Sequence, residues 1–409
     1  MRILFLTSHF PYPLDSGAVL KTWSVYEHLR LRHEVTGIAL ARAPLTEAQS
    51  AWAKEAGVET VVLNRGRSAP NLARSYLSRL PLSVERNRSR AVAKLVEERL
   101  RTDLPDAVFV DGWLMAQYLP DWFSGLKILH EHNAEYRLWQ REAAERGNGV
   151  TGLLIRREAK RVRTYEGAIL DRFDAVFAVS EDDRRSLAAV GGDSRRFDVL
   201  PNIPDPALLA LPALSYAASE PLLFYFGTLS WQPNIDGLER LITHILPAVV
   251  KQIPETRLSI AGRDSPPSIV RLAAETEAVD LIGAVDDAEE IYQRARVFVE
   301  ATKTGGGTRL KVLNALARGL PVVASSQAAQ GLDVVPGDHL LVAHSDRELV
   351  DSIVILMTDA ARWRILSENG RALVRGKYTA DIAFRSLDRL LAGEPIEPAG
   401  GPKTRRSRR

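Results

Sequence analysis

Three glycines, an arginine and a lysine stand together at the start of one helical pattern in the C-terminal half of the chain. Residues 305–324 read GGGTRLKVLNALARGLPVVA. A glycine-rich loop that leads into a helix presents backbone N–H groups where the helix dipole is positive, and such helix ends bind phosphate. Arg309 and Lys311 add two cations, one able to hold two phosphate oxygens and the other a mobile point charge. We predict a phosphate site, and the alternative is a tight turn with ordinary surface cations.

Gly227 stands at a second strand-to-helix junction, within FGTLSWQPNIDGLERLI. A glycine at this point lets the backbone approach a ligand closely. Either Asn234 or Asp236 is expected to open the helix, and Trp231 is attributed to loop packing. We therefore predict that the backbone of Gly227 contacts the same ligand.

Ser16 and Gly17 form a similar junction in the N-terminal half, within SHFPYPLDSGAVLKTW. Gly17 would direct backbone N–H groups toward a ligand, as Gly227 does. The alternative is a simple helix-capping turn. The residues alone leave both interpretations open.

The segment LHEHNAEYRLW places several polar residues at the end of a predicted strand. His130 and His132 alternate with Glu131, so they share one face if the strand continues that far. Asn133 and Glu135 follow directly. Metal ligation is one interpretation, but the sequence offers no third ligand, and a sugar-contacting or proton-handling His132 is favoured over it.

Short apolar runs alternate with helical patterns along nearly the whole chain, which predicts parallel sheets covered by helices on both faces. Two helical patterns are Ala18–Leu31 and Arg90–Arg101. The predicted strands are Ile3–Thr7, Glu34–Leu40, Val58–Leu63, Ala107–Val110, Lys127–His130, Ala175–Val179, Phe197–Leu200, Leu222–Phe226, Arg257–Ala261, Ala278–Ile282, Val297–Glu300, Pro321–Ala324 and Leu340–Val342.

The fold class predicted from this alternation is α/β, with two Rossmann-like doubly wound domains whose ligands bind in an interdomain cleft. We expect an N-terminal domain over 1–202 and a C-terminal domain over 203–376. The segment near 201–221 is rich in Pro, Ala and Ser, and it is expected to be a linker without an element of its own. The basic tail, 394–409, is expected to be disordered.

Composition limits the classes of protein. The chain has 409 residues, 45% of them hydrophobic and 26% charged, and it contains no cysteine. No apolar run approaches the roughly 18 residues of a membrane span, and MRILFLTSHF is too short for a signal peptide, so we expect a cytoplasmic protein. No nucleic-acid-binding module is recognisable, because aromatic residues are not interleaved with the basic runs.

Basic residues cluster although the net charge is only +3. The stretch from Arg65 to Arg101 contains ten Lys/Arg and three Glu, and the stretch from Arg137 to Arg163 contains eight Lys/Arg and three Glu. One interpretation is solvated, arginine-rich helix faces. The other is attraction to anionic lipid headgroups at the inner face of the cell membrane, or to an acidic substrate.

These motifs together resemble the retaining glycosyltransferases of family 4, which have the two-domain GT-B fold. The resemblance covers nearly the whole chain, and it rests on FxGxxxWxPNxDxL over Phe226–Leu238 and GxGTRLKxLxAxAxGxPVVA over Gly305–Ala324. The branch with this second motif belongs to bacterial surface polysaccharide and exopolysaccharide assembly.

The resemblance implies a nucleotide-sugar donor, most commonly UDP- or GDP-linked, in the C-terminal domain. It implies an acceptor in the N-terminal domain: a glycan, a lipid-linked molecule or a small molecule. The final helix, about 377–393, would pack back onto the N-terminal domain. The residues that match the family's donor diphosphate site are Gly17, Gly227, Gly305, Gly307, Thr308, Arg309 and Lys311; those on the sugar or acceptor side are Ser16, His132, Asn133 and Glu135.

Two departures from the family's pattern bear on activity. The family commonly carries two glutamates eight residues apart, and these positions are Gly306 and Asn314 here. The family's usual Arg and Lys after the first strand of the C-terminal domain are also missing. Asn314 is expected to take the ribose contact with its amide, and Arg309 and Lys311 to carry the neutralisation of phosphate.

The implied reaction is metal-independent sugar transfer with retention of anomeric configuration and no cofactor beyond the nucleotide-sugar co-substrate. His132, Arg309 and Lys311 are the expected catalytic residues, and the chain contains no Asp-x-Asp. Two rival functions remain at this point. One is a weakened nucleotide-sugar-binding partner protein, and the other is a nucleotide-sugar 2-epimerase.

Overall fold

The computed structural model describes residues 1–14, 16–63, 69–145, 149–304 and 308–396. The chain divides into a first unit, Met1–Pro201 with Phe384–Arg409, and a second unit, Asn202–Ala383. Each contains one parallel sheet, so the prediction of two doubly wound α/β domains is confirmed.

The first sheet has seven parallel strands in the order β3-β2-β1-β4-β5-β6-β7. Because β1 pairs with both β2 and β4, the order reverses there, and ligands of such sheets bind beyond the carboxyl ends at that reversal. Its strands are β1 Arg2–Thr7, β2 Glu34–Ala41, β3 Val58–Val62, β4 Ala107–Asp111, β5 Leu126–Glu131, β6 Ala175–Ala178 and β7 Phe197–Val199.

The second sheet repeats this plan with six parallel strands in the order β10-β9-β8-β11-β12-β13. Its reversal lies between β8 and β11, which are paired. The strands are β8 Leu222–Phe226, β9 Arg257–Ala261, β10 Val279–Gly283, β11 Val297–Glu300, β12 Val322–Ser325 and β13 Leu341–Ala343. The thirteen strands found in the described part of the chain were all predicted from the apolar runs, with ends within one residue.

Helices cover both sheets. Those of the first unit up to residue 201 are α1 Gly17–Arg30, α2 Glu47–Ala56, α3 Ala69–Ser78, α4 Leu82–Arg86, α5 Arg90–Thr102, α6 Glu135–Glu145, α7 Val150–Leu170 and α8 Glu181–Ala188. Those that follow along the chain are α9 Pro206–Ala210, α10 Gln232–Arg240, α11 Leu246–Val250, α12 Pro267–Glu275, α13 Glu289–Arg294, α14 Leu310–Arg318, α15 Ser326–Ala329, α16 Asp346–Thr358, α17 Ala360–Lys377, α18 Ala380–Ala383 and α19 Arg385–Leu391.

The inner strands of both sheets are largely buried because they lie in the middle of these layers. In β4 every residue from Ala107 to Asp111 is buried, and the same is true of β11 from Val297 to Glu300. An acidic side chain that ends such a strand has little access to water, so it needs hydrogen bonds or a counter-charge from the protein. These two carboxylates, Asp111 and Glu300, organise the two clusters described below.

The prediction that 201–221 holds no element is wrong. Five residues form α9, and buried arginines hold the segment that follows it. Arg371 donates to the carbonyl oxygens of Leu209 and Leu211, each at 2.9 Å, and Arg318 donates to that of Pro212 at 2.7 Å. Proline-rich composition predicted a loose connection, but the backbone carbonyls of this segment are bound to the second unit.

The final segment returns to the first unit. The predicted helix over 377–393 is instead the end of α17 followed by the short α18 and α19. Asp388 of α19 accepts a hydrogen bond from His28 of α1 at 2.7 Å, and the ring of Phe384 lies edge-on to the same imidazole. Within the described residues, no helix is long and apolar enough to cross a bilayer.

Candidate active site

Asp111 is the centre of a polar cluster in the first unit. It ends β4 at the reversal of strand order, and the sheet register places it between Thr7 of β1 and His130 of β5. Side chains at matched positions of neighbouring parallel strands project from the same face of a sheet. This register, which no spacing in the sequence reveals, brings the three residues together.

The carboxylate of Asp111 accepts hydrogen bonds at both oxygens. His130 Nδ1 and His132 Nε2 lie 2.7 and 2.8 Å from Oδ1. Thr22 of α1 donates its hydroxyl to Oδ2 at 2.5 Å. Asp111 and His130 are fully buried, whereas the side chain of His132 is 19% exposed. His132 is therefore the member of this cluster that a ligand can reach.

Electrostatics assigns the protons within the cluster. Burial opposes the charged form of Asp111, but the imidazoles of His132 and His130 outweigh it and hold the pKa of the carboxyl well below its usual range. Burial, with the nearby Lys21 ammonium, lowers the pKa of His130 to about 3. At neutral pH Asp111 is thus ionised, and neutral His130 donates to it through Nδ1. The same carboxylate orients the ring of His132.

A metal site at His130 and His132 would need a third ligand, which the sequence did not reveal. In the structure Asp111 is the candidate for that ligand. Asp111, His130 and His132 each present one possible ligand atom, and these atoms lie within 4.8 Å of one another. The two short contacts are accounted for by imidazole N–H groups donating to a carboxylate. We therefore interpret the cluster as a hydrogen-bonded one.

The buried state of His130 predicts a pH dependence of stability. Its pKa is lower in the folded state, about 3, than the ordinary 6.5. The stability it contributes is therefore complete above pH 6.5 and is lost as the pH falls toward 3, by about 1.4 kcal/mol for each pH unit. We expect His130→Asn, which keeps a side-chain donor for Asp111, to flatten this part of the curve. Urea unfolding of both proteins at pH 4, 5, 6 and 7 measures the difference, and equal slopes would contradict the assignment.

Asn133 and Glu135 follow His132, and α6 begins at Glu135. Burial raises the pKa of Glu135 to about 7, although a hydrogen bond from Asn133 lowers it. The carboxylate of Glu166 accepts hydrogen bonds from the backbone N–H groups of Glu135 and Tyr136 at 2.8 and 2.9 Å. Because these N–H groups belong to the first turn of α6, Glu166 holds the loop that carries His132 and Asn133.

Ser16 and Gly17 stand at the start of α1, which begins one residue earlier than the predicted helix Ala18–Leu31. Ser16 is the N-cap residue, and its side chain makes no capping hydrogen bond. A β-carbon placed on Gly17 would meet no atom of the described residues within 4 Å. Glycine is therefore not required at 17 by contacts within the described structure, and the space beside it is open to a ligand.

Lys311 is the centre of the corresponding cluster in the second unit. Its ammonium lies 2.5 Å from Glu300 Oε2 and donates to the Tyr225 hydroxyl at 2.6 Å and to Asn234 Oδ1 at 2.9 Å. Burial lowers the pKa of Lys311, and the Glu300 carboxylate opposes this shift. Three partners match the three donors of an ammonium. The Lys311 ammonium is therefore paired with Glu300 rather than mobile, and its role in phosphate binding stays a prediction.

Arg309 is placed differently from Lys311. It is the N-cap residue of α14, which begins at Leu310 and ends at Gly319 in the left-handed conformation. The guanidinium donates to the carbonyl oxygen of Thr304 at 2.8 Å and lies 5.2 Å from the centre of the Trp231 ring. Burial lowers its pKa, but a guanidinium stays charged in proteins. Arg309 thus carries a fixed positive charge at the first turn of α14.

Trp231, which was attributed to loop packing, begins a helix and contacts Arg309. It is the N-cap residue of α10, so neither Asn234 nor Asp236 opens this helix. Trp231 is 43% exposed, with the Arg309 guanidinium against its ring. Asn234 instead joins the loop after β8 to Lys311, because its Nδ2 donates to the Thr228 carbonyl at 2.6 Å.

Asn314 and Thr308 both bind the segment that enters the second unit. The backbone N–H of Asp205 donates to Asn314 Oδ1 at 3.0 Å, and Asn202 Nδ2 donates to the Thr308 hydroxyl. The oxygen of Asn314 is therefore occupied by the protein. Its Nδ2 is the atom that can donate to a ribose hydroxyl.

Of the other glycines predicted to line the donor site, the structure describes only Gly227. Gly305 and Gly307 lie outside the described residues, as does Gly306. Gly227 follows β8, and a β-carbon there would stand 3.4 Å from Lys311 Nζ. A β-carbon on the adjacent Gly262, at φ +151, would stand 1.8 Å from the Gly227 carbonyl oxygen. Close packing of these two loops thus sets the path of the backbone at Gly227.

Sequence reasoning missed several members of these clusters, among them Asp111, Tyr225, Asn234 as a partner of Lys311, and Glu300 as its counter-ion. One signal was available, since AVFVD and VFVE are apolar strands that each end in a carboxylate. A charged residue at that position is costly to bury unless it is paired. The signal identifies the carboxylate but not its partner.

Two family models match the chain. One, described as a glycosyl transferase 4-like domain, matches residues 16–203, and the other, glycosyl transferases group 1, matches residues 220–359. The chain belongs to the glycosyltransferases. The first match holds the Asp111 cluster of this glycosyltransferase, and the second holds the Lys311 cluster and Arg309.

Known proteins similar to this glycosyltransferase include one from Klebsiella pneumoniae, named an uncharacterized 44.6 kDa protein in the cps region. It is 20% identical over 394 residues, which is 94% of this chain and 98% of that protein. A second is the GDP-mannose-dependent monoacylated alpha-(1-6)-phosphatidylinositol monomannoside mannosyltransferase of Corynebacterium glutamicum. It is 25% identical over 216 residues, or 50% of this chain and 55% of that protein.

Among solved structures, HepE of Anabaena in complex with UDP has a TM-score of 0.65 at 15% identity, covering 96% of this chain and 100% of that chain. At this identity the likeness concerns the fold alone. It confirms the predicted GT-B architecture.

Proposed function

We propose that this glycosyltransferase moves a sugar from a nucleotide-sugar donor to an acceptor, with retention of anomeric configuration and without a metal ion. The observation that carries the proposal is Arg309, a buried cation at the first turn of α14, near the reversal of strand order in the second sheet. Cleavage of a nucleotide sugar leaves a diphosphate whose negative charge must be stabilised. A preorganised guanidinium and a helix N-terminus supply that stabilisation.

The donor site proposed around Arg309 has two kinds of residues. Gly227, Gly305, Gly307 and Thr308 would bring backbone N–H groups to the diphosphate, and Gly17 would present backbone N–H groups to a phosphate or to the acceptor. Lys311 would act mainly by holding Glu300, Tyr225 and Asn234 in place. Its positive charge would also attract the nearby diphosphate. Asn314 would donate its Nδ2 to the ribose.

His132 is proposed to contact the transferring sugar. Its Nε2–H bond to ionised Asp111 directs the ring and leaves Nδ1 able to accept a hydrogen bond when the ring is neutral. Ser16, Asn133 and Glu135 would lie on the acceptor or sugar side. Asp111 would be a positioning residue, since it acts through His132.

The nucleoside is proposed to be uridine or guanosine. The Anabaena structure contains UDP, and the Corynebacterium relative is named as GDP-mannose-dependent. The Klebsiella relative is named for a cps region. We accordingly propose a role in surface polysaccharide assembly, with a glycan, a lipid-linked molecule or a small molecule as acceptor.

The proposal is tested by thermal unfolding in the presence of UDP- and GDP-sugars, followed by NMR of the product. A true donor present at 100 times its dissociation constant should stabilise the protein by about 2.7 kcal/mol. Transfer should give a product with the donor's anomeric configuration, and His132→Gln should lower kcat by roughly 10²-fold while donor stabilisation persists. An inverted product would refute retention.

One specific observation favours a second candidate, a nucleotide-sugar-binding partner protein. Asn314 stands where the resembling family commonly carries a glutamate, so an uncharged amide, whose oxygen accepts a hydrogen bond from the Asp205 backbone, replaces a carboxylate there. Donor stabilisation with neither transfer nor hydrolysis would select this candidate. A change at C2 of the sugar with donor alone would instead identify an epimerase.

A further inference from the structure

Two helices of the first unit, α3 and α7, are joined by arginine. The Arg161 guanidinium donates to the backbone carbonyl oxygens of Ser75 and Leu80, which lie at and beyond the end of α3. Arg157 and Arg161 also lie against the ring of Tyr76, at 5.1 and 5.4 Å from its centre. The two helices therefore adjoin through these arginines, and we call their combined solvent-facing side the α3–α7 face.

The α3–α7 face exposes large apolar side chains. On α7, Val150, Leu153 and Leu154 lie within the first two turns, and they are 79%, 64% and 51% exposed. On α3, Leu77 is 86% exposed. Scattered exposed leucines are ordinary, but a group on adjoining helices marks an interaction site. The full set is Leu72, Tyr76, Leu77, Val150, Leu153 and Leu154.

The charges around these side chains have one sign. Residues 69–90 and 149–164 contain ten Lys/Arg and two Glu. Neither glutamate offers a strong negative surface, because Glu85 is 6% exposed and Glu158 is 13% exposed and paired with Arg161 at 2.9 Å. The solvent-facing charge of the α3–α7 face is therefore positive.

We propose that the α3–α7 face docks this protein on the surface of an anionic lipid bilayer. Cations are drawn to the negative headgroups, and the exposed aliphatic side chains enter the boundary between headgroups and acyl chains. Lys and Arg place the charged ends of long side chains at the headgroups while their stems pack beside the leucines. The cations and the exposed aliphatic side chains of the α3–α7 face thus both contact the bilayer.

A nucleic acid fits this surface less well. Its phosphates would pair with the cations, but it would leave four aliphatic side chains in water. These are more than half exposed: Leu77, Val150, Leu153 and Leu154. Single-stranded nucleic acid binds by stacking on aromatic rings. Tyr76 is the only aromatic residue of the exposed set, and two guanidinium groups already lie against its ring. Membrane binding by this face does not depend on the proposed transfer reaction, so the two are tested separately.

Flotation of the full chain with vesicles tests the proposal. We expect it to float with vesicles of equimolar phosphatidylcholine and phosphatidylglycerol and not with phosphatidylcholine alone. The triple variant Arg74→Gln, Arg157→Gln and Lys160→Gln should weaken partitioning by about 100-fold, since each cation contributes about fivefold. High salt should weaken it as well.

The apolar half needs its own variant and matched controls. Leu77→Ser, Leu153→Ser and Leu154→Ser together should weaken partitioning by roughly tenfold or more. Leu31→Ser with Leu104→Ser, also well-exposed leucines, should leave it unchanged, as should Arg347→Gln with Arg364→Gln. Melting temperatures would verify that every variant is folded. Equal binding to neutral vesicles, no effect of the leucine variant, or tighter binding to single-stranded DNA than to vesicles would each overturn the proposal.

Discussion

Replacing Arg309 with alanine is expected to lower kcat/KM for sugar transfer by roughly 10³-fold, the scale seen when a charged stabiliser of a departing phosphate is removed. Arg309 stands at the first turn of α14, it is 5% exposed, and its charge is held in place by Trp231 and the Thr304 carbonyl. Because this charge is preorganised, we expect it to stabilise the departing diphosphate without moving. The measurement is initial-rate kinetics with the donor found by thermal stabilisation.

Three controls separate this role from a structural one. Binding of the nucleoside diphosphate to Arg309→Ala should weaken by roughly 10- to 100-fold, since hydrogen bonds to charged groups contribute about 1.5–3 kcal/mol. Arg309→Lys should recover part of the binding but not the two-pronged geometry. Arg347→Ala, whose side chain is 90% exposed, should behave as wild type. Full transfer by folded Arg309→Ala would remove the proposed site.

Replacing Lys311 with methionine is expected to destabilise the second unit by about 3–5 kcal/mol, because the change leaves the Glu300 carboxylate buried without its counter-ion. Glu300 is fully buried, and its Oε2 lies 2.5 Å from the ammonium. The Tyr225 hydroxyl and the Asn234 amide oxygen lose their donor as well. From the sequence one expects alanine at 311 to abolish transfer in an intact fold, whereas the structure predicts a loss of stability.

A double-variant cycle measures this coupling. Glu300→Gln combined with Lys311→Met removes both charges, so the double variant should be more stable than Lys311→Met alone and the two effects should not add. Urea unfolding of the four proteins provides the free energies. The control Arg240→Met breaks another ion pair of the unit, to Asp346, whose carboxylate is 43% exposed. It should therefore cost less than Lys311→Met. Additive effects of Glu300 and Lys311 would contradict the pairing.

The two predictions rest on adjacent cations with different partners. Arg309 and Lys311 are two residues apart, and the sequence assigns both to phosphate. In the structure Arg309 is the N-cap residue of α14 beside the half-exposed Trp231, while Lys311, two residues further on, points to the end of β11. The kinetic effect is therefore assigned to Arg309 and the effect on stability to Lys311.

Much of the fold could be predicted from the sequence because its signal is local. A strand buried on both faces must be a short apolar run, as AVFVD and RVFVEA are, and the helices between such runs follow from their periodicity. The segment 201–221 was mispredicted for the corresponding reason. Its composition is that of a loop, and the arginines that bind it, Arg318 and Arg371, are more than 100 residues away.

The sequence by itself determined the two doubly wound sheets, the glycine-led junctions at Gly17 and Gly227, and the chemistry available near His132 and Arg309. Only the tertiary structure decided which charges meet. Asp111 meets His130 and His132 because β4 and β5 are neighbours in register, and Glu300 meets Lys311 because α14 returns over the end of β11. Local periodicity sets which residues are buried, but the partner of a buried charge depends on strand order and register. Those are properties of the assembled sheet.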